Sequence, residues 1–523
     1  MKTEKTNSLK YIFSFCLLLM LLVSGCAPVK SVMASVPEPA AWPTAGWQRS
    51  TPEAQGMDST LLASMLEDLA ANHTNLYSVQ VVRNGMVVAE AYMHPYTGDT
   101  RVHVQSITKS VIGMLAGRAI ALGLLKGEDE SLASFFPGRV FANDSPEKQS
   151  IRLSHLLSMT SGLDCQEFTT TGPKMEQSSG WVQFMLDLPV TSKPGTKFNY
   201  CNGNAHLLSA ILEKVTGMTA REFANRELFA PLGIPAVDAA DWGADPKGYS
   251  IGGYGLHLTP ADLAKLALLS LQDGRWEGRQ LLPAGWVGKS TTRWIDKGDG
   301  SGYGYMWTVY PKLGRYAALG LGGQQIHVYP AKNLIVVVTA GLPAYTEAPE
   351  VEKMLAEYIL PAVKSDRTLA ENPEGVARLQ AAVEQAANPI RPMGDLPTVA
   401  LDISGSTYTF DENPYGWQTL QLVFAQGADA ARLAFNGTTG IQIGLDNLYR
   451  LSDTTVLGKL LMRGRWIDGQ TFAVDYPYNM AGPLRLGELG ETEMRFQFTG
   501  AQVRMTATPL IFGGEPLVLT GKR

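Results

Sequence analysis

The sequence predicts an α+β domain followed by a smaller all-β domain, on three observations. Strand-like apolar runs stand near both ends of residues 50–365, at 76–83 and 86–92 and again at 315–320, 324–329 and 334–340. The stretch between them is mostly helical and loop-rich. From Val399 onward the pattern alternates: Met494, Phe496 and Phe498 fall on one face, as do Val503 and Met505. Terminal strands around a helical insert describe an α+β domain, and the alternating tail describes an antiparallel barrel or sandwich.

Composition agrees with more than one globular domain. The chain has 523 residues, 45% hydrophobic and 18% charged. A net charge of -5 with no Lys/Arg-rich run speaks against a nucleic-acid partner.

Residues 1–25 read as a lipoprotein signal peptide. Lys2, Lys5 and Lys10 form a basic region, and residues 11–22 are apolar but short for a bilayer span. The segment ends in Val23-Ser24-Gly25-Cys26, similar to a bacterial lipobox, with Cys26 the lipidated residue. The expected location is the extracytoplasmic side of a bacterial membrane, held by the lipid alone. Residues 26–49 read as a flexible tether. Of the other cysteines, Cys16 leaves with the signal. Cys165 and Cys201 either pair in the oxidising compartment or sit as two small buried hydrophobes.

Within residues 50–365, Asn84-Gly85 joins the first two strands, both positions tolerating positive φ. Helical periodicity follows Pro194-Gly195 at 204–215. Thr259 as N-cap and Pro260 at the first position open a helix at 260–271. Residues 349–363 read as a helix after the late strands. Residues 366–397, with a helix at 373–387, read as a connector, and 398–523 as the β domain, with Asn436-Gly437 and Asp468-Gly469 as hairpin turns.

The chemistry concentrates at Ser106-Ile107-Thr108-Lys109, an S-x-x-K at the start of an apolar stretch, 106–125. Three residues is almost one helical turn, so the two side chains share a face. A serine hydroxyl needs a base, and a desolvated lysine can be that base. A solvated lysine is out of place in so apolar a helix. A second cluster, Lys197-Phe198-Asn199-Tyr200-Cys201-Asn202, holds a Y-x-N core before a helix. Its tyrosine can move protons and its asparagine can bond a substrate amide. The seven histidines show no metal-ligand spacing, and no cofactor is implied. Tyr303, Tyr305 and Trp307 divide between cleft wall and core.

Together the two motifs resemble the serine beta-lactamase and penicillin-binding-protein superfamily, specifically its class C-related esterases, D-aminopeptidases, carboxypeptidases and 6-aminohexanoate-dimer hydrolases. His155-Leu156-Leu157-Ser158-Met159-Thr160-Ser161-Gly162-Leu163, Pro231-Leu232-Gly233-Ile234 and Thr259-Pro260-Ala261-Asp262-Leu263-Ala264 resemble further family segments in order. The resemblance covers about 50–365. It implies a beta-lactamase/transpeptidase-like fold, an antiparallel sheet flanked by helices with a helical subdomain. Ser106 would be acylated, with Lys109 its base and Tyr200 the shuttle. The family's cationic third motif is missing: the matching strand reads Ala317-Ala318-Leu319-Gly320-Leu321-Gly322-Gly323-Gln324. The resemblance implies an oxyanion hole from the N–H groups of Ser106 and Leu321, with Ala318 the alternative donor. It implies substrate contacts at Asn202, Gly320, Gly322 and Gln324. Arg315 either restores the missing charge or is a solvated strand end. A Cys165–Cys201 disulfide would brace Tyr200.

The expected activity is hydrolysis of a small-molecule or peptide ester or amide through an acyl-enzyme. The rivals are a beta-lactamase or D-Ala-D-Ala carboxypeptidase, and a non-catalytic relative binding peptidoglycan or a peptide.

Overall fold

The computed structural model describes residues 36–72, 74–342, 348–389, 394–413, 416–454, 458–476, 492–509 and 516–523. The signal segment and Cys26 lie outside them.

The first domain is built on an eight-stranded antiparallel sheet. Its strands are β1 (Leu76–Arg83), β2 (Met86–Tyr92), β3 (Ile295–Asp296), β4 (Gly302–Tyr303), β5 (Thr308–Tyr310), β6 (Arg315–Gly320), β7 (Gln324–Tyr329) and β8 (Leu334–Ala340), ordered β2-β1-β8-β7-β6-β5-β4-β3. The chain's first hairpin thus pairs with its last strand, Val81 opposite Val336. Asn84 and Gly85 take φ of 52° and 77°, as the tight turn requires. The central strands are buried on both faces, so they read as continuous apolar runs. Strands β3 to β5 are too short to show periodicity, and sequence reading passed over them.

Helices cover both faces. On one side lie α1 (Ser59–Ala71) and the helical run 349–362. The other side carries α2 (Ile107–Ala121), α3 (Asn202–Thr216) and α4 (Pro260–Leu271). Helix α4 lies across β1, β7 and β8, capped as expected by Thr259, whose side chain accepts from the Asp262 N–H. Helix α2 is buried all round and packs on α3. It ends at Ala121, short of the 125 expected from the apolar run, because Gly123 at φ 71° turns the chain.

Helix α5 (Pro373–Ala387), inside the stretch read as a connector, packs on α1. Leu379 and Ala382 join the same buried cluster as Leu62, Leu66 and Val338. This part of 366–397 is a structural layer of the first domain.

The second domain is a closed barrel. Its strands are β9 (Thr407–Phe410), β10 (Thr419–Val423), β11 (Ala430–Phe435), β12 (Thr438–Gly444), β13 (Arg450–Thr454), β14 (Gly458–Trp466), β15 (Thr471–Tyr476), β16 (Thr492–Thr499), β17 (Gln502–Pro509) and β18 (Leu517–Lys522). The order is β12-β11-β10-β9-β18-β17-β16-β15-β14-β13, and Gly444 of β12 pairs with Arg463 of β14. Nine strands therefore close the barrel, with β13 outside the ring. Met494, Phe496, Phe498, Val503 and Met505 fill the interior. Tyr449 and Leu461 of this domain pack with Tyr77, Tyr96 and Val102 of the first.

Candidate active site

Ser106 caps the N-terminus of α2 on a strained approach. Gln105, just before it, is buried with φ 52°, the left-handed region that β-carbon sterics disfavour. A residue held there points the next side chain out of the turn. The close approach of β6 belongs to the same design. A β-carbon on Gly320 would lie 2.6 Å from Val104 O and 3.0 Å from Gln105 Cβ, so only glycine fits there.

Two polar side chains meet at Ser106. Lys109 Nζ lies 2.9 Å from Ser106 Oγ, and the Tyr200 hydroxyl donates to that oxygen at 2.7 Å. Lys109 Nζ also donates to Gly253 O at 2.6 Å and sits 4.7 Å from the centre of the Tyr200 ring. The lysine is 1% exposed. Burial brings its pKa down to about 7, with Glu167 pulling the other way. A neutral amine at that point has a lone pair for the Ser106 proton while its N–H holds Gly253. Burial raises Tyr200 well above the usual tyrosine range, against the opposing Ser106 contact, so it rests as a phenol. That differs from a readily deprotonated tyrosine: Lys109 is the group poised to accept a proton and Tyr200 the one poised to donate.

The glycine run 252–255, which sequence reading left without a role, makes this contact possible. A β-carbon on Gly252 would lie 2.2 Å from Ala205 O, and one on Gly253 would lie 2.8 Å from Asn202 Cβ. The run thus lies against the start of α3 and presents a carbonyl to Lys109.

The Cys165–Cys201 disulfide is formed, tying the loop after residue 163 to the segment that carries Tyr200. Glu167, which no motif singled out, lies on that loop. Its carboxylate accepts from Asn202 N and Asn202 Nδ2, both at 2.6 Å. The only hint in the sequence was an acidic residue two positions after Cys165. The donor side of the Asn202 amide is thus committed to Glu167, and its Oδ1 is buried without a partner.

Other residues read as substrate contacts are placed differently. Gln324 is fully buried, and its amide pairs with both the N–H and the carbonyl of Ala340, prolonging the β7–β8 ladder. It holds the sheet and does not face the cleft. Gly322 and Gly323, at φ 73° and 86°, make the β6–β7 turn. Arg315 is neither a solvated end nor a substitute cation. It is 2% exposed, donates to Glu352 Oε1 at 2.6 Å and Tyr329 OH at 3.1 Å, and stacks over Tyr310. Leu321 follows β6 directly. Among the described residues neither its N–H nor that of Ser106 donates to a protein acceptor.

Beside Ser106 opens a cavity of about 190 Å3 whose walls include Phe168, Phe198, Tyr303, Met306, Ala317 and Leu319. Lys297 also reaches it and is paired with Asp299 at 3.2 Å. Tyr305 instead stacks on Trp294, and Trp307 packs edge-on against Tyr316. Among the described residues, none of the barrel lines this cavity. A larger cleft, about 880 Å3, lies between α1 and the barrel and holds no serine–base pair.

A serine held between a buried lysine and a tyrosine, on an antiparallel sheet flanked by helices, is the arrangement of a serine hydrolase. The chain belongs to the Beta-lactamase family, whose sequence model matches residues 62–358, more than half its length. The 6-aminohexanoate-dimer hydrolase of Paenarthrobacter ureafaciens is 25% identical over 331 residues, 58% of this chain and 83% of that protein. Penicillin-binding protein 4 of Amycolatopsis lactamdurans is 24% identical over 291 residues, 48% and 76% of the two chains. A solved Bacillus anthracis structure named for a 6-aminohexanoate-dimer hydrolase shares the fold with TM-score 0.50 at 17% identity, covering 65% of this chain and 92% of its own.

Proposed function

We propose that this hydrolase cleaves small, uncharged esters or amides through an acyl-enzyme on Ser106. The observation that carries the reading is the convergence of Lys109 Nζ and Tyr200 OH on Ser106 Oγ, at 2.9 and 2.7 Å. Lys109 takes the serine proton as Oγ attacks the carbonyl carbon. The N–H groups of Ser106 and Leu321 receive the oxyanion, a contribution of about 100- to 1,000-fold for each donor. Tyr200 passes a proton to the departing alkoxide or amine. Lys109 returns its proton to Tyr200; water then attacks the ester on Ser106, Lys109 accepting the water proton, and the acid leaves as Ser106 Oγ takes that proton back.

The pocket supports the choice of substrate. Its walls are mostly aromatic and aliphatic, the one lysine that reaches it, Lys297, is paired with Asp299, and no lysine or histidine precedes Gly320 on the adjoining strand. Arg315 is turned into its own ion pair, so it supplies no carboxylate partner. That disfavours beta-lactams and D-Ala-D-Ala, which carry a carboxylate.

We place the protein outside the cytoplasm on a lipid at Cys26. The disulfide supports this, since such bonds persist in oxidising compartments.

The test is intact mass of residues 27–523 after brief exposure to a p-nitrophenyl ester and, separately, a penicillin. Acylation by the ester, absent in Ser106→Ala, is the expected result. Acylation by penicillin alone would move the protein to the beta-lactam branch. No adduct with either or with a fluorophosphonate would end the catalytic reading.

A further inference from the structure

Glu167 belongs to none of the motifs that mark the site, yet it is buried against them, 8% exposed. Both its oxygens face N–H donors of Asn202, an arrangement that satisfies the carboxylate and leaves a carboxylic acid proton no use. Asn202 opens α3, where a negative charge meets the positive end of the helix. The loop carrying Glu167 is therefore tied twice to the Tyr200 segment, once by this clamp and once by the disulfide.

The clamp also reaches the lysine. The Asn202 side chain packs against Gly253, whose carbonyl accepts from Lys109 Nζ. Burial raises the Glu167 carboxyl above its usual range, while the Asn202 N–H donors and Lys109 oppose that rise; in return the Glu167 charge raises Lys109 against the burial that lowers it. The other ionisable groups facing the pair are few. Tyr200 and its neighbour Tyr303 are phenols held neutral by burial. Glu176 adds a weaker like charge toward Glu167 and accepts from Tyr254 OH at 2.5 Å.

We propose that Glu167 is a positioning residue for acyl transfer, its carboxylate fixing the Tyr200–Asn202 segment beside Ser106 and holding a negative charge on the Lys109 side of the site. The proposal rests on the assignment of Ser106, Lys109 and Tyr200. Its sign is definite. A nearby negative charge stabilises the ammonium, so removing it lets the lysine deprotonate at lower pH. The acid limb of kcat/KM reports the free enzyme and should move with it.

The experiment is the pH profile of kcat/KM for a p-nitrophenyl ester in wild type, Glu167→Gln and Glu167→Asp, each verified as folded by its melting transition. In Glu167→Gln the acid limb should fall by about one pH unit, so that activity near pH 6, relative to its own plateau, rises several-fold. Glu167→Asp keeps the charge and should keep the wild-type limb, with a lower plateau from the loosened clamp. An unmoved or raised limb in Glu167→Gln overturns the proposal and leaves a structural role only. A limb lowered equally in Glu167→Asp overturns it too. Fluorophosphonate labelling separates the two levels. A wild type that labels on Ser106, with an unmoved limb in Glu167→Gln, defeats this inference alone. A wild type that does not label removes the catalytic assignment and the proposal with it.

Discussion

Lys109 is in the wrong place for stability and the right one for catalysis. A lysine 1% exposed holds its proton poorly, and burial lowers it to about 7 from 10.5. Between those values the unfolded chain binds the proton more strongly than the folded one, so stability should rise with pH across that window. Below pH 7 the full cost of the buried charge is felt. Lys109→Met should therefore raise unfolding stability at pH 6–7 by about 1–3 kcal/mol, read by urea denaturation. It should also lower kcat/KM by at least ~1,000-fold. The wild-type rate should climb through pH 7 as the amine becomes free. Tyr200→Phe removes the donor to Ser106 Oγ and should cost about 100- to 10,000-fold in kcat, measured at saturating ester.

At the scale of elements, close approaches set the site. The glycine run 252–255 lies so near α3 that Gly252→Ala would put a carbon 2.2 Å from Ala205 O. That substitution should displace the Gly253 carbonyl from Lys109, lowering both the melting temperature and the rate. The disulfide holds the Glu167 loop on the Tyr200 segment across 36 residues of sequence. Replacing both cysteines by serine should lose about 2–4 kcal/mol relative to the oxidised wild type, measured by urea denaturation, and reductant-treated wild type should lose the same amount. Secondary structure at this scale was largely legible. Helix α4 announced itself by Thr259-Pro260, and the β1–β2 hairpin by Asn84-Gly85. The two- and three-residue strands β3 to β5 were not legible, because they exist only as pairings with neighbours.

At the scale of the molecule, the barrel closes on itself and also supports the catalytic domain. Tyr449 and Leu461 pack on Tyr77, Tyr96 and Val102, the last of these four residues before Ser106. Among the described residues, none of the barrel lines the cavity beside Ser106. Leu461→Ala should destabilise by about 2–4 kcal/mol in thermal unfolding. Fluorophosphonate labelling of Ser106 in the folded fraction should persist.

The sequence by itself determined the fold class and most elements, and it singled out Ser106, Lys109 and Tyr200, whose side chains the fold brings together. Those signals are local: a helical turn places Ser106 and Lys109 together, and alternation marks each strand of the barrel. Tertiary structure alone decided what those residues can do. Lys109 has a lowered pKa because distant segments dry its surroundings, and Gly253, 144 residues away, takes its N–H. Glu167, invisible as a motif, meets Asn202 because a disulfide and a helix start bring them together. Gln324 read as a substrate contact and Arg315 as either a replacement charge or a solvated strand end, but Ala340 claimed the one and Tyr329 and Glu352 the other. Each of these outcomes depends on a partner far along the chain, and local pattern carries no record of such partners.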